Sequence, residues 1–224
     1  MKEPQPKVAA EPWDVDANLA ALGLKREQLR EAVRLGELER VSCTDLDPQS
    51  FPGTTAWAHT IRYLRADLLL EGWVPQNKNN LPLTVHPVRH LGILVTSGSP
   101  GTGDPDGEPT TKYPKGPMTA SQVKANRQLL LFGDTPRVLR VPRKDDVVTW
   151  CLLVYAVFYP RNETIGTHIA KCELSLPAAI DEDGYVCEWG KRIILEPVRL
   201  DDIPTRRDIG DEDGGEIDVP VKRR

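Results

Sequence analysis

The chain reads as one α+β domain, a mostly antiparallel sheet of about five or six strands with N-terminal helices packed on it. Three observations predict this. Trp57, Ile61, Leu64 and Leu68 recur at helical spacing in the first third of the chain. From Leu83 onward the pattern changes to strand-like alternation and short apolar runs. Hydrophobic residues make up 39% and charged residues 28% of the 224 residues, which suits one folded core with tails.

The elements follow in order. Residues 1–13 are polar and Pro-rich and are expected to form a disordered lead-in. Asp16 or Asn18 can cap a short helix that ends at Gly23. A second helix is predicted from about Lys25 to Leu35, with Leu29, Ala32 and Val33 on its apolar face and Gly36 as its stop. Asp45 to Gly53 is a loop by composition, and Thr54 or Thr55 caps the longest predicted helix, which runs to about Glu71. Leu83–His86 and Leu91–Thr96 suit a hairpin. Ser97–Pro117 is a long loop rich in Gly, Pro and Asp, of a length more often functional or disordered than structural.

Thr119-Ala120-Ser121-Gln122 reads as a capping box that opens a short helix. With the Thr55 helix it is expected to cover one face of the sheet. Val147–Tyr159 is apolar on both faces and suits a central strand. Thr164–Leu176 alternates, with His168, Ala170, Cys172, Leu174 and Leu176 on one face. Short strands at Tyr185–Trp189 and Arg192–Leu195 complete the sheet, after a hairpin turn at Asp181–Gly184. The domain is expected to span 14–199, with a disordered acidic tail over 200–224. The predicted core includes Trp57, Ile61, Leu64, Trp150, Leu152, Val154 and Leu174.

Charge and composition narrow the function. A formal net charge of −4 argues against a broadly basic nucleic-acid surface but leaves room for a local patch. No apolar run reaches membrane-spanning length, and the start carries no signal-peptide pattern, so no membrane partner and a cytoplasmic location are expected. None of the four cysteines, Cys43, Cys151, Cys172 and Cys187, forms a Cys-x-x-Cys pair, and all are expected to be reduced.

Several constellations invite a chemical reading. Ser97–Gly103 could cradle a phosphate, but no Gly-Lys-Ser/Thr and no following helix completes a phosphate loop, and a plain loop is the competing reading. Asp104-Pro105-Asp106-Gly107-Glu108 starts like a calcium loop, yet Lys115 stands where the closing Glu is required. His86 and His90 have zinc-like spacing without a cysteine nearby to complete a ligand set. Neither a metal nor a cofactor is therefore expected. Lys171-x-Glu173 has the reverse order of a nuclease motif and suits a cross-strand ion-pair face. Residues 16–36 could form a helix-turn-helix, but Glu27 and Glu31 offset the arginines and a helical hairpin explains them. Lys112-Tyr113-Pro114-Lys115 sets an aromatic ring between two cations. Lys112, Tyr113 and Lys115 are thus candidate nucleic-acid or phosphate contacts.

Gln128-Leu129-Leu130-Leu131-Phe132 is the most specific signal. It resembles the peptide class with which many bacterial DNA polymerases, repair proteins and replication regulators dock on the DNA sliding clamp: a Gln, a Leu, a variable residue, then Leu-Phe. Gln128, Leu129, Leu131 and Phe132 match that pattern, and Leu130 takes the variable place. The resemblance covers five residues and no other part of the chain. A few apolar anchors and one polar group that sets register suffice for such docking. The competing reading places Val123, Leu130 and Leu131 on one helix face with Phe132 in the core.

The function expected from the resemblance is a non-enzymatic accessory protein of bacterial DNA replication or repair that docks on the sliding clamp, in a mobile-element or phage-defence setting. Two alternatives stand beside it. One is an enzyme acting on nucleic acid or nucleotide through the 97–117 loop with His59, His86 and Lys112. The other is a small regulator or antitoxin-like module that binds a protein partner. No residue is assigned a catalytic role.

Overall fold

The computed structural model describes residues 6–78, 80–131 and 147–204. A short strand, β1 (Lys7–Ala9), precedes three helices, α1 (Pro12–Leu22), α2 (Arg26–Ser42) and α3 (Phe51–Leu68). A 3-10 turn at Leu69–Glu71 leads into β2 (Val74–Lys78), β3 (Leu81–His86) and β4 (Leu91–Ser97). Next come α4 (Pro117–Leu131), β5 (Val148–Pro160), β6 (Ile165–Ile180) and β7 (Val186–Pro204). The strands form one seven-stranded sheet in the order β1-β7-β6-β5-β4-β3-β2. The architecture is α+β as expected, but the sheet is larger than five or six strands and is mixed. β1–β7 and β4–β5 pair in parallel. β4 and β5 can run parallel because the loop and α4 between them carry the chain back to the starting end.

Local chemistry explains most of the boundaries. Gly23 stops α1 in the left-handed region at φ 72°, where its N–H reaches the carbonyls of Leu19 and Ala20. Pro52 sits in the first turn of α3, where its missing N–H costs nothing. Pro75 lies in β2, an edge strand, where a missing ladder donor is tolerated.

Some expectations need correction. The lead-in is shorter than residues 1–13, because β1 pairs with Lys191–Ile193 and α1 begins at Pro12. Composition under-read this segment because a three-residue strand needs only one buried side chain, Ala9. At the other end, β7 passes residue 200 and pairs Pro204 with Ile165, so the sheet takes residues assigned to the tail. Residues 205–224 lie outside the described residues. β7 is also one strand where two were expected.

Gly36 does not end α2 but sits inside it. A Cβ there would meet Thr60 Oγ1 at 2.1 Å and the Ala56 carbonyl at 2.7 Å, so glycine lets α2 and α3 approach. Trp57, expected in the core, is 39% exposed and donates from Nε1 to the Val95 carbonyl at 3.0 Å. Val154 is only half-buried. The other five predicted core residues are buried.

The two faces of the sheet hold separate cores. On one, α1, α2 and α3 bury Leu19, Leu29, Val33, Ile61 and Leu64 against Leu152, Cys172, Leu174 and Ile193. On the other, Val123 of α4 meets Leu83, Leu94, Cys151 and Leu153. α3 and α4 therefore lie on opposite faces, not on one as expected. The β6–β7 hairpin end bends at register shifts between Leu176 and Ile180 and brings Val186 and Trp189 into this second core.

Candidate functional site

The pentapeptide falls at the end of α4, so its setting depends on how that helix is held. α4 starts at Pro117, two residues ahead of the expected cap at Thr119. Thr119 is buried in the first turn, and Gln122 accepts from the Thr149 hydroxyl at 3.1 Å. Gln122 thus binds strand β5. Val123 is buried in the second core.

Asn126 is 1% exposed and pairs with β5 as a backbone would. Its Nδ2 donates to the Thr149 carbonyl at 2.7 Å, and its Oδ1 accepts from the Thr149 N–H at 3.1 Å. A buried amide side chain so satisfied fixes the helix to the sheet at that turn. Arg127 is already exposed. Gln128, Leu129 and Leu131 then occupy the last turn of the helix, and Phe132 lies outside the described residues.

The 97–117 loop is built around a buried ion pair. Glu173 of β6 and Arg192 of β7 are 0% and 2% exposed, and Arg192 donates to both carboxylate oxygens, at 3.0 and 2.7 Å. Ser175 adds a third hydrogen bond to Glu173. Both charges also hold the loop. Arg192 donates to the carbonyls of Gly107 at 2.7 Å and Asp104 at 2.9 Å, and the Gly103 N–H donates to Glu173 at 2.8 Å. Trp189 Nε1 donates to the Pro109 carbonyl at 2.7 Å.

The glycines of the loop serve close packing. A Cβ on Gly107 would meet the Gly101 carbonyl at 2.7 Å. The N–H that a phosphate would need at Gly103 is taken by Glu173. Of the two readings of Ser97–Gly103, the plain loop fits these contacts better, since Arg192, Glu173 and Trp189 hold the backbone of the loop on the sheet. Glu173 makes a cross-strand ion pair, as its place on the alternating strand suggested, but the pair is buried and Glu173 also anchors the loop. Arg192 was not singled out from sequence. The only signal was a charged residue at the head of the apolar run Ile193–Leu195.

The candidate contacts on the loop separate. Tyr113 is 53% exposed with the Lys112 amine 5.6 Å from its ring centre, so both face outward. Lys115 turns inward and donates to Thr96 Oγ1 at 2.6 Å, and burial lowers its pKa. An ammonium turned inward is not placed for a nucleic-acid contact.

The histidines also lie apart. His59 stands 3.4 Å from Glu39 and packs against Tyr63. His86 packs edge-on against Trp73 and accepts from the Arg89 N–H at 3.3 Å. It borders an open crevice of about 330 Å³, where Lys25 is paired with Glu71.

His168, placed by alternation among apolar residues, is buried and lies 2.7 Å from the buried Glu37 of α2. Burial pushes the Glu37 carboxyl up, but the contacts from His168 and Arg40 outweigh this and hold it below its usual range. A lone histidine on an apolar strand face was the signal for this pair. On α2, Arg26 pairs with Asp16 and Arg30 with Glu196, so the basic residues of the helix-turn-helix reading are spent within the fold.

Among the described residues no group of three or more His, Cys, Asp or Glu side chains is arranged to hold a metal ion, and no helix is long and apolar enough to cross a membrane. All four cysteines are free, and burial pushes the thiols of Cys151 and Cys172 up to about 12. No family model, curated protein or solved structure matches this chain.

Proposed function

We propose that this chain is a non-enzymatic accessory protein of DNA replication or repair that docks on a bacterial sliding clamp through Gln128, Leu129, Leu131 and Phe132. The observation that carries the reading is position. Among the described side chains, the last that ties α4 to the sheet is Asn126, two residues before the motif begins. Helical spacing carries the buried stripe of Thr119, Val123 and Asn126 on to position 130, the variable place of the motif. Positions 128, 129 and 131 fall off that stripe.

Docking of this kind rests on a few apolar anchors, and any change in the last helical turn opposes the gain. The expected affinity is therefore micromolar, on the order of 10⁻⁶ M. The enzyme reading receives less support, because His59, His86 and Lys112 have separate surroundings and the loop between them is clamped. The regulator reading shares the same surface and differs in the partner.

Purified bacterial sliding clamp, titrated against the labelled full chain, tests the proposal. The wild type should bind, and the Leu131→Ala/Phe132→Ala variant should lose binding with its thermal midpoint unchanged. A double variant that unfolds would mark these residues as core. A double variant that still binds, or a wild type that does not, would end the clamp reading.

A further inference from the structure

β5, β6 and β7 run on past the end of β4, which stops at Ser97 beside Val154. One face of this three-stranded extension is the apolar core of α1–α3, and it takes His168, Ala170 and Cys172. The unbroken pairing Tyr155↔Lys171, Val157↔Ile169 and Tyr159↔Thr167 sets the other six residues together on the opposite face. β7 adds Arg199, paired with Ile169, and Asp201, which accepts from Thr167 at 2.9 Å. Arg161, in the β5–β6 turn, stands 3.6 Å from Asp201.

This face stays open among the described residues. The hydrogen bonds of α4 to β5 and β6 are at the other end, at Thr149 and Pro177. The loop reaches Lys171 through Gly103. Tyr159 is 51% exposed, and the Arg199 side chain 61%. Tyr155, Val157, Ile169 and Lys171 are half-buried.

Two tyrosines four residues apart on one strand stand about 13 Å from each other, with an apolar pair between them. Arg161, Lys171 and Arg199 border them, and Arg161 and Arg199 share the carboxylate of Asp201. Among the described side chains these three cations stand with two acids, Asp201 and Glu163, in a chain of net charge −4. Flat rings on which bases can stack, set among cations that can meet phosphates, are what unpaired nucleotides require. A duplex keeps its base faces hidden. The Thr167 hydroxyl gives its one proton to Asp201, and so does not donate to a ribose 2′-hydroxyl.

We propose that the outer face of the β5–β6–β7 extension binds single-stranded DNA, with Tyr155 and Tyr159 as stacking platforms and Lys171, Arg161 and Arg199 as phosphate contacts. This does not rest on the clamp reading, since it uses other residues on another element.

The test is fluorescence anisotropy of the full chain with a labelled oligothymidylate of roughly 15 nucleotides. Parallel arms use the same length of duplex DNA, oligouridylate and vesicles of anionic phospholipid. The wild type should bind the single-stranded DNA in preference to duplex and vesicles. Its affinity should fall log-linearly as salt rises from about 50 to 200 mM. Tyr159→Ala/Arg199→Gln should weaken it by about tenfold or more with the thermal midpoint unchanged. If that double variant unfolds, Arg199→Gln alone and the salt slope decide. Leu131→Ala/Phe132→Ala should bind DNA as the wild type does, which separates the two proposals. Absent binding, unchanged binding by the face variants, equal capture by vesicles, or RNA bound tenfold more tightly than DNA would each overturn the assignment.

Discussion

The sheet face under α1, α2 and α3 and the face under α4 and the 97–117 loop are closed by different means. Helices satisfy their own backbone groups, so the first face can be sealed almost wholly by apolar side chains. Its chief buried polar group is the Glu37–His168 pair, with Arg40 at its edge. A loop brings unpaired N–H and C=O groups with it. On the second face, Arg192, Glu173 and Trp189 pair with the backbone of the loop, and Asn126 binds the start of β5. Where the cover is irregular, some of the buried side chains have to be polar. The residues that resembled a site in the sequence there, a glycine-rich loop beside charged strand residues, turn out to be the means of closing a core.

The largest effect expected from this contrast is at Arg192. Arg192→Ala leaves Glu173 charged and buried and frees two loop carbonyls, so it should cost about 3–5 kcal/mol. Urea denaturation measures this. A loss below about 0.5 kcal/mol, as for an ordinary surface substitution, would show that the loop is not held by the pair. On the helical face, Leu64→Ala should cost about 2–5 kcal/mol through the cavity it leaves, with no opening of the loop. Hydrogen exchange at Gly103 distinguishes the two cases, because faster exchange is expected only in the Arg192 variant.

The smallest effect concerns acid. The folded carboxyl of Glu37 lies below its ordinary value near 4.5, so the folded state binds fewer protons there than the unfolded chain. Its contribution is complete above that ordinary value and is lost as pH falls through the lower folded value. Glu37→Gln should therefore flatten the acid limb of the stability–pH curve. An unchanged acid limb would mean that the pair does not contribute in this way.

Much of the fold was legible. The helices containing Val33 and Leu64, the β3–β4 hairpin and the central position of β5 follow from apolar spacing alone. β1 and β2 were missed because each is a short edge strand with little buried apolar surface, and β2 carries Pro75. Gly36 was misread because a glycine that stops a helix and one that lets two helices touch look alike in one dimension. The pentapeptide was visible as a string of residues. What the string could not convey was that its helix is pinned to the sheet at Asn126, two residues ahead of it.

The sequence by itself determined the α+β class, the spacing of apolar residues that builds both cores, and the one short motif with a specific likeness, because each is a local pattern along the chain. Only the tertiary structure decided which face each helix covers, that Glu173 meets Arg192 and that Glu37 meets His168. It also decided that Tyr155, Tyr159, Lys171 and Arg199 share one face, open among the described residues. Those pairings join residues up to 131 positions apart, and they depend on strand order and register, which no local pattern encodes.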